Sequence, residues 1–350
     1  MKYLLGLTAE ELKEWCVVQK EPAFRAKQIF EWLYQKGVSD YSKMTNLSNS
    51  LREKLVADMG VSPLKLARLQ DSDDAQTRKF LWELEDEKLV ESVLIEAPDR
   101  FTVCVSSQVG CPARCAFCAS GREGLVRNLT AGEIFAQVYH VQNYLIERGQ
   151  KVTNVVYMGM GEPFRNYDEV VKSIRMLINP DIMNMSQRRI TVSTVGVVEG
   201  ITQFAQENLK VNLVLSLHAP NQHLRQKIIP YARHYSLDTI LDAMDLYADK
   251  TGRDITFEYT LINGINDGEE QAKELVQLLR KKQCTVNLIP YNPVAGLKLK
   301  RPDKDAVELF REILTDAGIV NTCRYTKGDD IAAACGQLAM QQKSSLLNVV

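Results

Sequence analysis

The chain has 350 residues, 45% hydrophobic and 25% charged, which permits a sizeable buried core and suggests two or three structural units. Formal net charge is −1, so no global field draws it to nucleic acid, and any RNA contact must come from local Lys and Arg clusters. No apolar run approaches the ~20 residues of a membrane span, and "MKYLLGLTAEELKEW" turns acidic at once without a small-residue cleavage site, so a cytoplasmic protein without a signal peptide is expected.

Residues 1–60 read as a helical module, expected to contact RNA. In "LTAEELKEW", Thr8 is followed three residues later by Glu11, the signature of a capping box. "PAFRAKQIFEWLYQKG" puts Ile29, Phe30, Leu33 and Tyr34 on one face and stops at Gly37, and "SNSLREKLVADMG" repeats the pattern up to Gly60. From Ala75 the period changes: "RKFLWELEDEKLVESVLIEAPDRFTVCVSS" alternates, with turn signals at "EDEK" and "APDR", and predicts two or three antiparallel strands. Strands and helices then alternate. "FTVCVSS", "TNVVYMG", "RITVST", "VNLVLSL", "ITFEYTLI", "TVNLIPY" and "VNTCRYT" are the strand candidates, and amphipathic stretches such as "YDEVVKSIRMLIN" fall between them. Such alternation implies βα units around a parallel sheet or barrel, whose chemistry gathers at the C-terminal strand ends. The basic candidates for RNA are Lys65 and Arg68, Arg78 and Lys79, Arg122 and Arg127, Arg188 and Arg189, and "KLKR" (298–301); each also reads as an ordinary solvated face.

The eight cysteines sort unevenly. In a cytosolic chain they suit metal binding or catalysis better than disulfides. Cys111, Cys115 and Cys118 crowd into "GCPARCAFCASG" (110–121), Cys104 lies just upstream, and Cys16, Cys284 and Cys323 read as packing residues. Structural zinc wants four ligands, commonly as two pairs, and an iron–sulfur cube also normally takes four thiolates. Three thiols in a loop leave one iron open to chelation by the amino and carboxylate groups of S-adenosylmethionine (SAM). The spacing Cys-x3-Cys-x2-Cys, with Phe117 before the last thiol, resembles the radical-SAM motif. A zinc-holding RNA-binding module without catalysis is the rival from a different class.

"VSSQVGCPARCAFCASG", "RNLTAGEI", "YMGMGEP", "SLHAPN", "NLIPYNP" and "GDDIAAACGQL" occur in that order. Together they resemble the RlmN-type dual-specificity RNA methyltransferases, sisters of the Cfr antibiotic-resistance methyltransferases, over nearly the whole chain. The resemblance implies a partial (β/α)6 radical-SAM barrel over residues 101–338, preceded by the helical accessory domain (1–60) and a short antiparallel β extension (61–100) and followed by a flexible tail (339–350). It implies one 4Fe–4S cluster held by Cys111, Cys115 and Cys118, and two SAM molecules per turnover. SAM contacts are implied at Gly161, Glu162, Ser193, Ser216, Leu217, His218 and Asn292. Cys335 matches the methyl-carrying cysteine, Cys104 the resolving cysteine that forms a transient disulfide with it, and Glu91 the proton acceptor. A helix start after "TKGDD" would lower the pKa of Cys335, and partial desolvation would raise that of Glu91.

The implied reaction is methylation of adenine carbon 2 in 23S rRNA and tRNA, with an electron-donating reductase as a further partner, no membrane, and a monomeric enzyme. Two departures bear on this. Ala119, Ser120 and Gly121 stand where the family often has Ala-Thr-Gly, and Val109 stands where Cfr proteins tend to carry an extra cysteine, which favours carbon 2 over carbon 8.

Overall fold

The computed structural model describes residues 2–324 and 327–339. The expected tail falls outside the described residues, except for Ala339.

The N-terminal module opens with β1 (Lys2–Tyr3), which pairs in parallel with β2 (Met59–Gly60). These two-residue strands are too short to leave a period in the sequence. Between them lie α1 (Ala9–Val18), α2 (Arg25–Phe30) and α3 (Asn49–Asp58). The capping box forms as read: the Glu11 N–H donates to Thr8 Oγ1 at 3.1 Å and the Thr8 N–H to the Glu11 carboxylate at 2.6 Å. The helix begun at α2 continues in π register over Glu31–Gln35, and Gly37 closes it in the left-handed region at φ 64°.

Leu12, Cys16, Ile29, Leu33, Leu51 and Leu55 are fully buried, and they join the same apolar core as the rest of the molecule. Each contributes about 1.5–3 kcal/mol by leaving water. Where the module meets the start of the first barrel helix, the backbones touch. A Cβ at Gly6 would lie 2.7 Å from the Cα of Gly132, and one at Gly132 would lie 2.5 Å from the Leu5 carbonyl oxygen.

One ten-stranded sheet follows. Its antiparallel part is β3 (Leu64–Asp71), β4 (Thr77–Leu84), β5 (Leu89–Ala97) and β6 (Arg100–Cys104). The alternation from Ala75 onward, with turns at "EDEK" and "APDR", is realised in β4 to β6; β3 lies upstream of it. β7 (Gln108–Gly110) and β8 (Leu125–Asn128) form a separate antiparallel pair around the cysteine loop.

Six βα units then run in chain order: β6 with α4 (Ala131–Ile146), β9 (Asn154–Tyr157) with α5 (Tyr167–Ile178), β10 (Ile190–Thr194) with α6 (Val198–Phe204), β11 (Asn212–Ser216) with α7 (Gln222–Ile228) and α8 (Leu237–Thr251), β12 (Ile255–Leu261) with α9 (Glu269–Leu279), and β13 (Cys284–Pro290) with α10 (Lys304–Asp316). β14 (Val320–Cys323) adds a last parallel strand, and the sheet stays open between β14 and β3. This is the radical-SAM α/β architecture expected from the motifs. The β extension is hydrogen-bonded into it, since Val93 pairs with Cys104 and Leu94 with Val103.

α5 shows why such helices form. Val170, Val171, Ile174 and Leu177 are buried against the sheet while Asp168 and Arg175 face solvent. Among the described residues no helix is long and apolar enough to cross a membrane.

Candidate active site

The β7–β8 pair frames the cysteine loop. The Cys111 N–H donates to the Gly124 carbonyl at 3.0 Å, and the Cys118 N–H to the Cys115 carbonyl at 3.1 Å. Two further bonds tie the loop outward: Ala116 N–H to Ile228 O at 2.8 Å, and Ala119 N–H to Gly336 O at 2.7 Å. All three thiols line one cavity of ≈ 120 Å³ at the C-terminal ends of the parallel strands. A roomier groove of ≈ 450 Å³ beside α5, lined by Thr8, Lys172 and Arg175 among others, holds neither cysteine nor strand end. Chemistry, rather than volume, therefore locates the site. Desolvation pushes all three thiols upward, Cys111 to about 12, and for Cys111 and Cys115 the neighbouring cysteines add to it.

Gly161, Glu162, Ser193, Ser216, His218 and Asn292 line the same cavity. At Gly161 φ is 107°, and a Cβ would lie 2.7 Å from both Gln108 Cβ and Ser107 Oγ, so the close approach demands glycine. The buried Glu162 carboxylate accepts hydrogen bonds from Thr194 Oγ1 (2.8 Å), the Val195 N–H (2.8 Å) and the Phe164 N–H (3.0 Å). Of a carboxylate's roughly four acceptor directions, about one remains. Desolvation still pushes it up to about 7. Ser193 Oγ and Ser216 Oγ are 3.0 Å apart. Leu217 is fully buried and is absent from the residues lining the cavity; its N–H donates to the Glu258 carbonyl at 3.0 Å. His218 sits at φ 54°, accepts from the Thr260 N–H through Nδ1 at 2.9 Å and meets the Phe117 ring edge-on at 4.8 Å. Burial lowers its pKa to about 3, so the ring is neutral at ordinary pH.

Sequence reasoning did not pick out Thr194, Gln108, Glu258 or Arg225. Gln108 Oε1 accepts from the Glu162 N–H at 2.8 Å, fixing the turn. Glu258 projects from mid-strand in "ITFEYTLI", lines the cavity and stands 3.8 Å from Arg324. A carboxylate inside an otherwise apolar strand was the available signal.

Cys335 lies on this cavity too, with Gly336 beside it. The expected helix start is corrected here: the chain around Cys335 forms turns, with Gly336 at φ 84°. Without helical N–H groups aimed at it, the thiol is raised to about 11, first by the surrounding protein and then by Glu258, although its edge meets solvent. Cys104, at the end of β6, is buried and held well above the usual thiol range by desolvation and then by Cys335.

Glu91 sits in the middle of β5, fully buried, and is absent from the residues lining the cavity. Its Oε1 pairs with Lys79 Nζ at 3.1 Å and its Oε2 accepts the Ala339 N–H at 3.0 Å. Lys79 also donates to the Ala332 carbonyl at 3.3 Å, so this pair holds both flanks of the Cys335 loop. On the cavity side, Asn292 Nδ2 donates to the Cys335 carbonyl at 3.1 Å.

The basic candidates divide. Lys65, Arg188, Arg189, Lys298 and Lys300 are exposed. Arg78 and Lys79 are buried by ion pairs with Asp71, Glu96 and Glu91, which removes them as RNA-facing residues. Arg127 is clamped between Asp86 and Glu133, both at 2.8 Å.

Residues 2–61 match the family model of the ribosomal RNA large subunit methyltransferase N-terminal domain, and residues 105–278 that of the Radical SAM superfamily. A probable dual-specificity RNA methyltransferase RlmN of Protochlamydia amoebophila is 62% identical over 95% of this chain and 93% of its own. One from Thermotoga maritima is 46% identical over 99% of each. The chain belongs to the RlmN family. A solved radical SAM methyltransferase from Sphaerobacter thermophilus, itself 45% identical, superposes with a TM-score of 0.94 over 97% of this chain and 99% of that one.

Radical SAM membership implies a 4Fe–4S cluster and SAM. The donor set fits the cluster: three desolvated thiols share one cavity, and behind its lining the buried Arg225 holds the carbonyls of Val195 and Ser216, so that a cation is at hand to compensate thiolates. Among the described residues no three His, Cys, Asp or Glu side chains are arranged around a single ion. A cube, in which each thiolate takes its own iron, does not require that arrangement.

Proposed function

We propose that the enzyme methylates carbon 2 of adenosine in 23S rRNA and in tRNA, through a methyl group carried on Cys335. The observation that carries this reading is the meeting, at one cavity, of the cysteine triad with a separate thiol, Cys335. Cys111, Cys115 and Cys118 would hold one cluster. Gly161, Glu162, Ser193, Ser216, His218 and Asn292, with the Leu217 backbone, would seat SAM, two molecules being used per turnover. When bound, these groups supply a transferable methyl and a one-electron route to a carbon radical.

The chain's own residues do the rest. The Cys335 sulfur takes up the methyl, losing its thiol proton, and its exposed edge faces the mouth where an unstacked adenine must enter. Carbon 2 is electron-poor, so the S-methyl would first lose one hydrogen atom to the radical chemistry the bound groups supply; its carbon would then bond to carbon 2 while still attached to the Cys335 sulfur, one electron passing back to the bound groups. Glu91 accepts the carbon 2 proton, which requires the Cys335 loop to shift, because Ala339 now occupies its Oε2. Cys104 then attacks the Cys335 sulfur. The S–C bond breaks, its electron pair staying with the adenine-bound carbon, which takes up a proton to complete the methyl; a disulfide forms, the methylated adenine leaves, and a two-electron reductase must restore both thiols. Val109, in place of a further thiol, favours carbon 2.

Full-length protein reconstituted without air with iron and sulfide should be brown and yield 2-methyladenosine from both RNA pools by mass spectrometry. Exclusive 8-methyladenosine would move it to the Cfr-like reaction, and a colourless protein with stoichiometric zinc would end the enzymatic reading.

A further inference from the structure

Arg225, on α7, has no role in the scheme above, yet it is among the most buried side chains in the molecule, at 0% exposure. Its Nε donates to the Leu217 carbonyl at 3.1 Å, and its Nη2 to the carbonyls of Val195 (2.6 Å) and Ser216 (3.1 Å). Those bonds strap together the ends of β10 and β11. They do not account for Nη1, which finds no hydrogen-bond partner among the described residues. Nor do they neutralise the charge, because carbonyls are dipoles and a buried cation is costly without an anion.

Val195 and Ser216, whose carbonyls Arg225 holds, line the cavity together with Cys115 and Glu162, the two acidic groups that favour its charged form. Glu162 already accepts three hydrogen bonds from its own neighbours. That leaves the cysteine loop. α7 is fastened to it, since the Ala116 N–H next to Cys115 donates to Ile228 at the end of the helix at 2.8 Å.

We propose that Arg225 is a charge-tuning residue of the iron–sulfur site, whose guanidinium stabilises negative charge at the Cys115 corner and so makes the cluster easier to reduce. The inference rests on the reading that Cys111, Cys115 and Cys118 hold a cube. One-electron reduction adds a negative charge to a site that would already carry thiolates, and a fixed cation buried behind the cavity lining favours the reduced state. The electron comes from a strong external one-electron reductant, and no bond of the chain is made or broken.

The test is a dithionite titration followed by electron paramagnetic resonance, on anaerobically reconstituted full-length enzyme without SAM. Arg225→Gln should shift the reduced-to-oxidised ratio at fixed potential at least tenfold towards oxidised, which is about 59 mV for one electron. Arg225→Lys, which keeps the charge, should stay within about threefold of the parent on the same scale. A parent enzyme that assembles no cube removes the underlying reading. A parent cube with Arg225→Gln titrating alongside it overturns this inference alone. An unchanged potential with weakened SAM binding assigns the guanidinium to the donor's carboxylate and also overturns it. Should Arg225→Gln fail to fold, unmutated enzyme labelled with guanidino-15N arginine decides. A nitrogen hyperfine coupling to the reduced cluster supports the proposal, and its absence overturns it.

Discussion

From β9 to β13 the sheet reaches the cavity chiefly at its strand ends, with Glu258 of β12 adding to it from mid-strand, whereas β4 and β5 reach the Cys335 loop from within their length. In the parallel part, Gly161, Ser193, Ser216 and Asn292 each sit at or just beyond the end of a different strand, so each is placed by its own βα turn. In the antiparallel part, Lys79 and Glu91 pair diagonally across neighbouring strands and hold Ala332 and Ala339 on either side of Cys335. Groups of the first kind can be lost one at a time. Groups of the second kind are coupled, because removing one leaves a buried charge and frees a loop.

The largest expected effect tests what that loop delivers. Cys335→Ala should reduce RNA methylation to background while leaving the midpoint of urea unfolding nearly unchanged, because the side chain is exposed. Cys104→Ala should instead accumulate an RNA–protein crosslink on gels; simple loss of turnover without a crosslinked band would remove Cys104 from its role. Next comes the coupled pair. Lys79→Met takes the cation away from the buried Glu91 carboxylate and should cost about 3–5 kcal/mol in denaturant unfolding, with much of it recovered in the Lys79→Met/Glu91→Gln double variant. A cost under about 1 kcal/mol would mean that the antiparallel part does not pin the loop.

On the parallel side, Gly161→Ala must push against Gln108 and Ser107 in a left-handed conformation, and about 1–3 kcal/mol is expected. Because this turn stands alone, the Cys335 loop should keep its protection in hydrogen exchange. The smallest effect belongs to His218. Its folded pKa of about 3 lies below the ordinary 6.5, so the unfolded chain binds the extra proton first as pH falls. Its contribution is complete above 6.5 and should fall by about 1.4 kcal/mol for each pH unit below that, down to about 3. The check is the difference in urea stability between parent and His218→Gln at pH 7 and 5.5; equal slopes would show that the ring protonates freely.

Much of this was legible in the sequence. The cysteine spacing, the glycines of "YMGMGEP" and the 2-to-3.6 change of period each reflect a local constraint, and the structure shows strands and helices where those patterns predict them. What stayed hidden depends on distant partners. β1 and β2 are too short to have a period, and α7 spans only seven residues. Arg78 and Lys79 look like surface charges until Asp71, Glu96 and Glu91 are brought beside them. The turns around Cys335 were misread as a helix start because "IAAACGQL" has good helix formers, yet Gly328 and Gly336 take positive φ and contacts to β4, β5 and the cysteine loop override propensity.

The bare meeting of Gly6 with Gly132 has a consequence for reach. With no side chain between the two backbones, the N-terminal module would have nothing to slide on and would act as a fixed stand-off beside the start of α4. A nucleic acid resting on it would be offered at one depth, so the choice of nucleotide would be set by distance as much as by base identity. Gly6→Ala, which must prise the backbones apart, should then spread methylation to neighbouring adenosines; an unaltered modification map would show that the module keeps no such measure.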